Sequence, residues 1–123
     1  MIKFEPLDKV VPISEQIKSE ESPVVLVNIF RVNEADIPQL LKGWEEDANW
    51  MKKQPGYIST QLHRGIAGST TFMNYAIWES VAHFRTAFMN PDFKAGLKHY
   101  PDSAVASPGL FTRLKIANLC VGP

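Results

Sequence analysis

Two runs of β-branched and aromatic residues, 57–64 and 70–79, follow one another with only residues 65–69 between them. No other feature limits the chain as much, because the spacing predicts a β-hairpin with a loop of about five residues. Pro55-Gly56 stands directly before it, a breaker pair that ends one element at Gln54 and starts the next at Tyr57. Residues two apart on a strand share a face, so Phe72, Asn74, Ala76 and Trp78 point one way and Met73, Tyr75 and Ile77 the other. An amide beside an indole on an otherwise apolar face is the first candidate site.

Upstream, Pro23 opens the run Val24-Val25-Leu26-Val27-Asn28-Ile29-Phe30-Arg31-Val32, which is too apolar to be half solvated and predicts a central strand. Asn28 is its one break, on the face of Leu26 and Phe30. A buried amide needs hydrogen-bond partners or costs a few kcal/mol; a structural amide and a site residue both meet that condition. Asp36 and Gln39 make a predicted capping box with Pro38 in the first helical turn. Ile37, Leu40, Leu41, Trp44, Ala48 and Met51 follow as one apolar stripe, with Trp50 off it. Glu45, Glu46, Asp47, Lys52 and Lys53 read as the solvated face.

Downstream of the hairpin, Ser80 caps a predicted helix whose inner stripe is Val81, Phe84, Ala87 and Phe88, and Asn90-Pro91 ends it. Asp92 is the expected cap of a shorter helix reaching Tyr100-Pro101. Residues 101–109 read as a loop and 110–120 as the last strand. Residues 1–22 are polar and of mixed charge, an arm with a short helical turn at 14–19, ahead of a domain spanning 23–123.

The order strand, helix, strand, strand, helix, strand is the ferredoxin-like βαββαβ arrangement of the α+β class, with a four-stranded antiparallel sheet and two helices on one face. Both sheet faces read as apolar, and two helices cover only one. A second copy packed face to face by a two-fold axis is the simplest cover, so a homodimer is expected.

With 123 residues the chain fits one domain. Thirteen basic and thirteen acidic residues leave no electrostatic footprint for nucleic acid or an anionic membrane. No apolar run approaches the ~18 residues of a membrane span, and the first residues are too charged for a signal peptide. Cys120 is the single cysteine, so an intrachain disulfide is ruled out and a cytoplasmic location is expected. The chain carries no G-x-G-x-x-G, Walker A, H-E-x-x-H or G-x-S-x-G motif, and His63, His83 and His99 lack metal spacing. No metal site and no tightly held cofactor are expected.

Asn74 and Trp78 lie four residues apart on one strand, roughly 13 Å at ~3.3 Å per residue, and suit opposite ends of a flat ligand. A core indole and a sheet-bonded amide fit the same pattern. His63, at a strand end, is the candidate general base; Lys98 is the candidate group for steering an anionic or phenolic substrate. Asn28, Phe30, Trp44, Phe72, Phe84, Phe88 and Leu97 complete the expected binding surface.

Gln54-Pro55-Gly56-Tyr57-Ile58-Ser59, Leu62-His63-Arg64 and Asn74-Tyr75-Ala76-Ile77-Trp78-Glu79-Ser80 with Phe84 closely resemble the antibiotic biosynthesis monooxygenase domain family. The likeness covers about residues 23 to 120. It implies a dimeric α/β barrel of ferredoxin-like subunits and oxidation of an electron-rich aromatic or quinol-like substrate by O2 without metal, flavin or haem. It also implies that Asn74 and Trp78, the Asn-x-x-x-Trp pair, bind and orient the substrate. Two substrate-facing tyrosines of the anthrone-oxidising members fall at Leu62 and Phe84, and their arginine at Lys98, so the polyketide substrate does not carry over. The haem-degrading branch is excluded by Leu97 and Ala87 where its histidine and tryptophan would stand; only its strand asparagine has a counterpart, Asn28. A ligand-binding dimeric barrel without turnover is the alternative reading.

Overall fold

The computed structural model describes residues 1–122. Its elements are β1 (Lys3–Phe4), α1 (Ile13–Gln16), β2 (Val24–Arg31), α2 (Ile37–Met51), β3 (Tyr57–Arg64), β4 (Thr71–Trp78), α3 (Val81–Phe88), α4 (Pro91–Gly96) and β5 (Val105–Phe111), with 3-10 turns at Glu34–Asp36 and Leu97–His99. The βαββαβ core is present, in a five-stranded sheet of order β1-β5-β2-β4-β3. The sheet is mixed rather than four-stranded and antiparallel, because β1 adds to the edge of β5 in parallel, Lys3 opposite Val105 and Phe4 opposite Ala106. No helix among the described residues is long and apolar enough to cross a membrane.

The hairpin forms where expected. Gly56 ends the approach to it at φ 87°, and a β-carbon there would sit 2.2 Å from Cγ of His83. Only glycine meets both demands. Ser80 caps α3 by accepting from the His83 amide at 3.1 Å, and Val81, Phe84 and Ala87 are buried. Val25 opposes Ile77, Asn28 opposes Asn74, and Phe30 opposes Phe72 across β2 and β4, so the helix-facing residues of the two strands are the ones the alternation named.

Four local expectations are corrected. The last strand is not 110–120 but β5, which occupies most of the stretch read as a loop; residues 112–121 are exposed. Pro108 is tolerated there because the even-numbered residues of β5 turn their backbone polar groups away from β2, to the edge that β1 covers only in part. Ala106 O accepts from Glu5 N, and Leu110 exchanges hydrogen bonds with the Gln16 side chain at 2.9 and 3.1 Å. A proline nitrogen between them loses no ladder bond. Asp36 begins α2 but its carboxylate takes the Ser103 hydroxyl (2.7 Å) in place of a cap bond. Asn90, not Asp92, caps α4, accepting from the Asp92 amide at 2.8 Å. Leu41 is exposed, and Gly43 takes the buried position beside Leu40, closely packed on Tyr100.

The N-terminal arm lies on the chain's own body. Arg85 Nη1 donates to Ile17 O at 2.6 Å and Val81 N to Glu21 O at 3.0 Å.

Two apolar clusters fill the space between the sheet and its helices. One gathers Phe30, Leu40, Phe72 and Tyr100; the other gathers Val24, Leu26, Ala76, Trp78, Val81 and Phe84. Along β2 the clusters are separated by Asn28, and along β4 by Asn74. The two polar residues sit at the seam.

Candidate active site

A narrow cavity of about 70 Å³ opens at that seam. The sheet supplies its floor, Asn28 and Phe30 from β2, Asn74 and Trp78 from β4, and Thr60 from β3. Helix α2 supplies Trp44, Asp47 and Met51 from above; Phe84, Phe88 and Leu97 close one end. The walls are chiefly apolar and the polar groups few, the composition of a small-molecule site.

The two amides differ in how they are satisfied. Thr60 Oγ1 donates to Asn74 Oδ1 at 2.5 Å, which fixes that amide with its NH2 group on the other side. Asn28, directly opposite, has its Oδ1 buried with no hydrogen-bond partner. A buried acceptor left unmade costs about 1–3 kcal/mol. A hydroxyl in the cavity within reach of Asn28 Oδ1 would donate to it and remove that penalty.

Trp78 is only 2% exposed. Tyr57 and Phe84 meet its ring edge-on, with centroids 5.7 and 5.8 Å away. It serves as a rigid wall rather than an open stacking platform.

Asp47 is the polar surprise. It lies on α2 and lines the cavity, although the sequence reading assigned it to solvent. Burial pushes its carboxyl up to about 6; the Tyr100 hydroxyl and His99 pull back toward the ionised form, and Glu46 adds to the rise. Tyr100 is 4% exposed, and burial together with the Asp47 charge drives its hydroxyl far upward, so it stays protonated.

Among the described residues, no group of three or more His, Cys, Asp or Glu side chains is placed to hold a metal ion.

Residues 23–99 match the sequence model of the family described as antibiotic biosynthesis monooxygenase, well over half of the chain. The chain belongs to the antibiotic biosynthesis monooxygenase family. Solved structures agree. A candidate monooxygenase from Shewanella loihica is 31% identical, with 80% of this chain and 99% of that one covered and a TM-score of 0.67. SnoaB from Streptomyces nogalater, described as a cofactor-independent oxygenase, is 24% identical over 80% of this chain and 99% of its own, with a TM-score of 0.69. A candidate antibiotic biosynthesis monooxygenase from Caulobacter crescentus is 17% identical over 72% and 89%, with a TM-score of 0.62. The last two likenesses concern the fold. Comparison with the curated proteins gave no match.

Within this antibiotic biosynthesis monooxygenase fold, the cavity gathers Asn28, Phe30, Trp44, Asn74, Trp78, Phe84, Phe88 and Leu97 from the sequence-expected set. Three expected residues stay outside it. His63 pairs with Met73 on the opposite sheet face, exposed, its ring nitrogen 3.3 Å from Met73 O. The alternation that puts Leu62 opposite Asn74 turns His63 away. Phe72 is buried in the first apolar cluster instead, and Lys98 is exposed on the 3-10 turn after α4. The sequence reading missed Asp47, Thr60 and the N-terminal Ile2 and Phe4.

Proposed function

We propose that this antibiotic biosynthesis monooxygenase domain is a cofactor-independent oxygenase that uses O2 to oxidise a small electron-rich aromatic or quinol-like substrate. The observation that carries the reading is the pair of facing amides at the floor of an apolar cavity, one with a buried oxygen lacking a partner. The family and the similarity to SnoaB support it. Asn74 donates to the substrate oxygen, Asn28 accepts from it, and Trp78, Phe84 and Phe88 hold the ring plane. For an activated methylene the net change turns the carbon and its two hydrogens, with one O2, into a carbonyl and one water. The substrate itself supplies all four electrons. The protein's part is to position the substrate, hold its deprotonated form and exclude water.

Oxygen uptake by purified protein with a panel of anthrones and hydroquinones tests the reading. Turnover that falls with Asn74→Ala supports it; no uptake with any member overturns it. The sparse polar lining and the enclosed Trp78 favour a second reading, a ligand-binding protein without turnover. A co-purified molecule released from the cavity chemically unchanged would select that one.

The homodimer belongs to the same proposal. The sheet face away from the helices carries half-buried Val27, Ile29, Met73 and Ile77, with Tyr75 39% and Phe111 48% exposed. A contiguous apolar face of this kind suits the corresponding face of a second copy.

A further inference from the structure

We propose that Asp47 is the proton acceptor of this cavity and that the buried Tyr100 hydroxyl positions it. The inference rests on the oxygenase reading, since that chemistry begins by removing a proton from the substrate. The residues lining the cavity that carry a polar side-chain atom are Asn28, Trp44, Tyr57, Thr60, Asn74, Trp78, Tyr100 and Asp47. Amides, hydroxyls and indoles do not accept a proton near neutral pH. No histidine or lysine lines the cavity, and His63 and Lys98 both lie outside it. Asp47 is the one group among them able to do the work.

The surroundings are shaped for that carboxylate. A β-carbon on Gly96 would lie 2.8 Å from Asp47 Oδ1, so the bare residue at the end of α4 lets the carboxylate oxygen sit close against that helix. Tyr100, which follows the 3-10 turn after Gly96, lines the same cavity as Asp47. On the outer side, His99 Nδ1 is 2.6 Å from Glu46 Oε2, a partly exposed pair that connects Asp47's neighbourhood with solvent. Tyr100, His99 and Glu46 are the titratable groups acting on Asp47, and the sheet opposite it contributes neutral amides. A carboxylate poised near neutral pH in a low-dielectric cleft is the usual state of a general base.

The proton count closes. Asp47 takes one proton from the substrate, leaving an enolate or carbanion. That anion gives its electron pair to O2 and forms a C–O bond, and the resulting peroxide anion takes the proton back. Asp47 then removes the remaining C–H proton as the O–O bond breaks. The carbonyl forms, hydroxide leaves, and hydroxide takes the proton from Asp47 as water.

The experiment is the pH profile of oxygen uptake with an anthrone and a hydroquinone, for the unaltered protein, Asp47→Asn and Tyr100→Phe. In the unaltered protein kcat/KM falls on the acid side with a midpoint near 6. Asp47→Asn lowers kcat by about 100-fold or more and removes that limb, with anthrone KM changed little. Tyr100→Phe keeps the limb but moves it to higher pH, because the lost hydroxyl favoured ionised Asp47. The Tyr100→Phe shift reads the same site should Asp47→Asn fail to fold. An active unaltered protein whose Asp47→Asn variant keeps its rate and limb, or whose Tyr100→Phe limb stays put, overturns this role and leaves the oxygenase standing. An unaltered protein inert to both substrates overturns the two together.

Discussion

Asn28 and Asn74 face each other across β2 and β4, yet only one of the two carbonyl oxygens is satisfied. Thr60 serves Asn74, and among the described residues no group serves Asn28. Both residues interrupt strands whose other inward positions are apolar, and both fall where two core clusters part. The fold carries an energetic penalty at the place where its cavity opens.

Replacing Asn28 with Leu should therefore raise stability while destroying ligand affinity. Removing an unpartnered buried acceptor returns about 1–3 kcal/mol, read as a higher urea midpoint at unchanged slope. Calorimetric titration with a hydroquinone should show binding lost in Asn28→Leu. A variant less stable than the parent would mean that Asn28 is held by water or protein rather than waiting for a ligand.

Asp47 predicts a pH dependence of opposite sign to the common carboxylate. Its folded pKa lies above its ordinary value, so the folded state binds more protons than the unfolded between about pH 4 and 6. Stability then falls as pH rises through that window and levels off above it, by up to about 3 kcal/mol. Asp47→Asn should be the more stable protein at pH 8, with the difference vanishing below pH 4. Chemical denaturation at pH 4, 6 and 8 measures this.

Gly56→Ala should destabilise the hairpin and α3 together. The backbone at φ 87° alone costs an alanine about 1–2 kcal/mol, and the His83 ring must also move from a β-carbon 2.2 Å away. Thermal unfolding should show a drop of several degrees. Gly68, also at positive φ but in open space, should lose only the backbone part when changed to alanine.

Ile29→Lys places a charge in the middle of the sheet face turned from the helices. In a dimer joined by that face, two such charges oppose each other across the axis, and the mass measured by light scattering should drop from twice the chain to one. An unaltered chain that already runs as a monomer removes the dimer from the proposal.

How much of this was legible depended on whether a residue's environment is set by its own element. β2, β3, β4, α2 and α3 declare themselves through period-two and period-3.6 patterns, and Asn74 and Trp78 inherit their facing from one strand. β5 was hidden because Ser107-Pro108-Gly109 reads as a loop; its fitness depends on which edge Pro108 turns outward. A two-residue β1 has no pattern to read. Asp47 was missed for a different reason. Its spacing of three from Trp44 and four to Met51 already put it on the inner stripe, but its charge and its neighbours Glu45 and Glu46 argued for solvent. The groups that surround it, the Gly96 turn and Tyr100, lie about fifty residues away in sequence, and its own element gives no sign of them. His63 was recoverable from strand alternation alone, since it must oppose Leu62.

β1 is fastened by a short ladder beside β5, and the Met1 ammonium pairs with Asp102. Ile2 and Phe4, carried on that strand, reach the cavity. A fusion or affinity tag joined ahead of Met1 would load the first strand at the rim of the cavity, so recombinant protein intended for ligand or oxygen assays is better tagged at the other end of the chain.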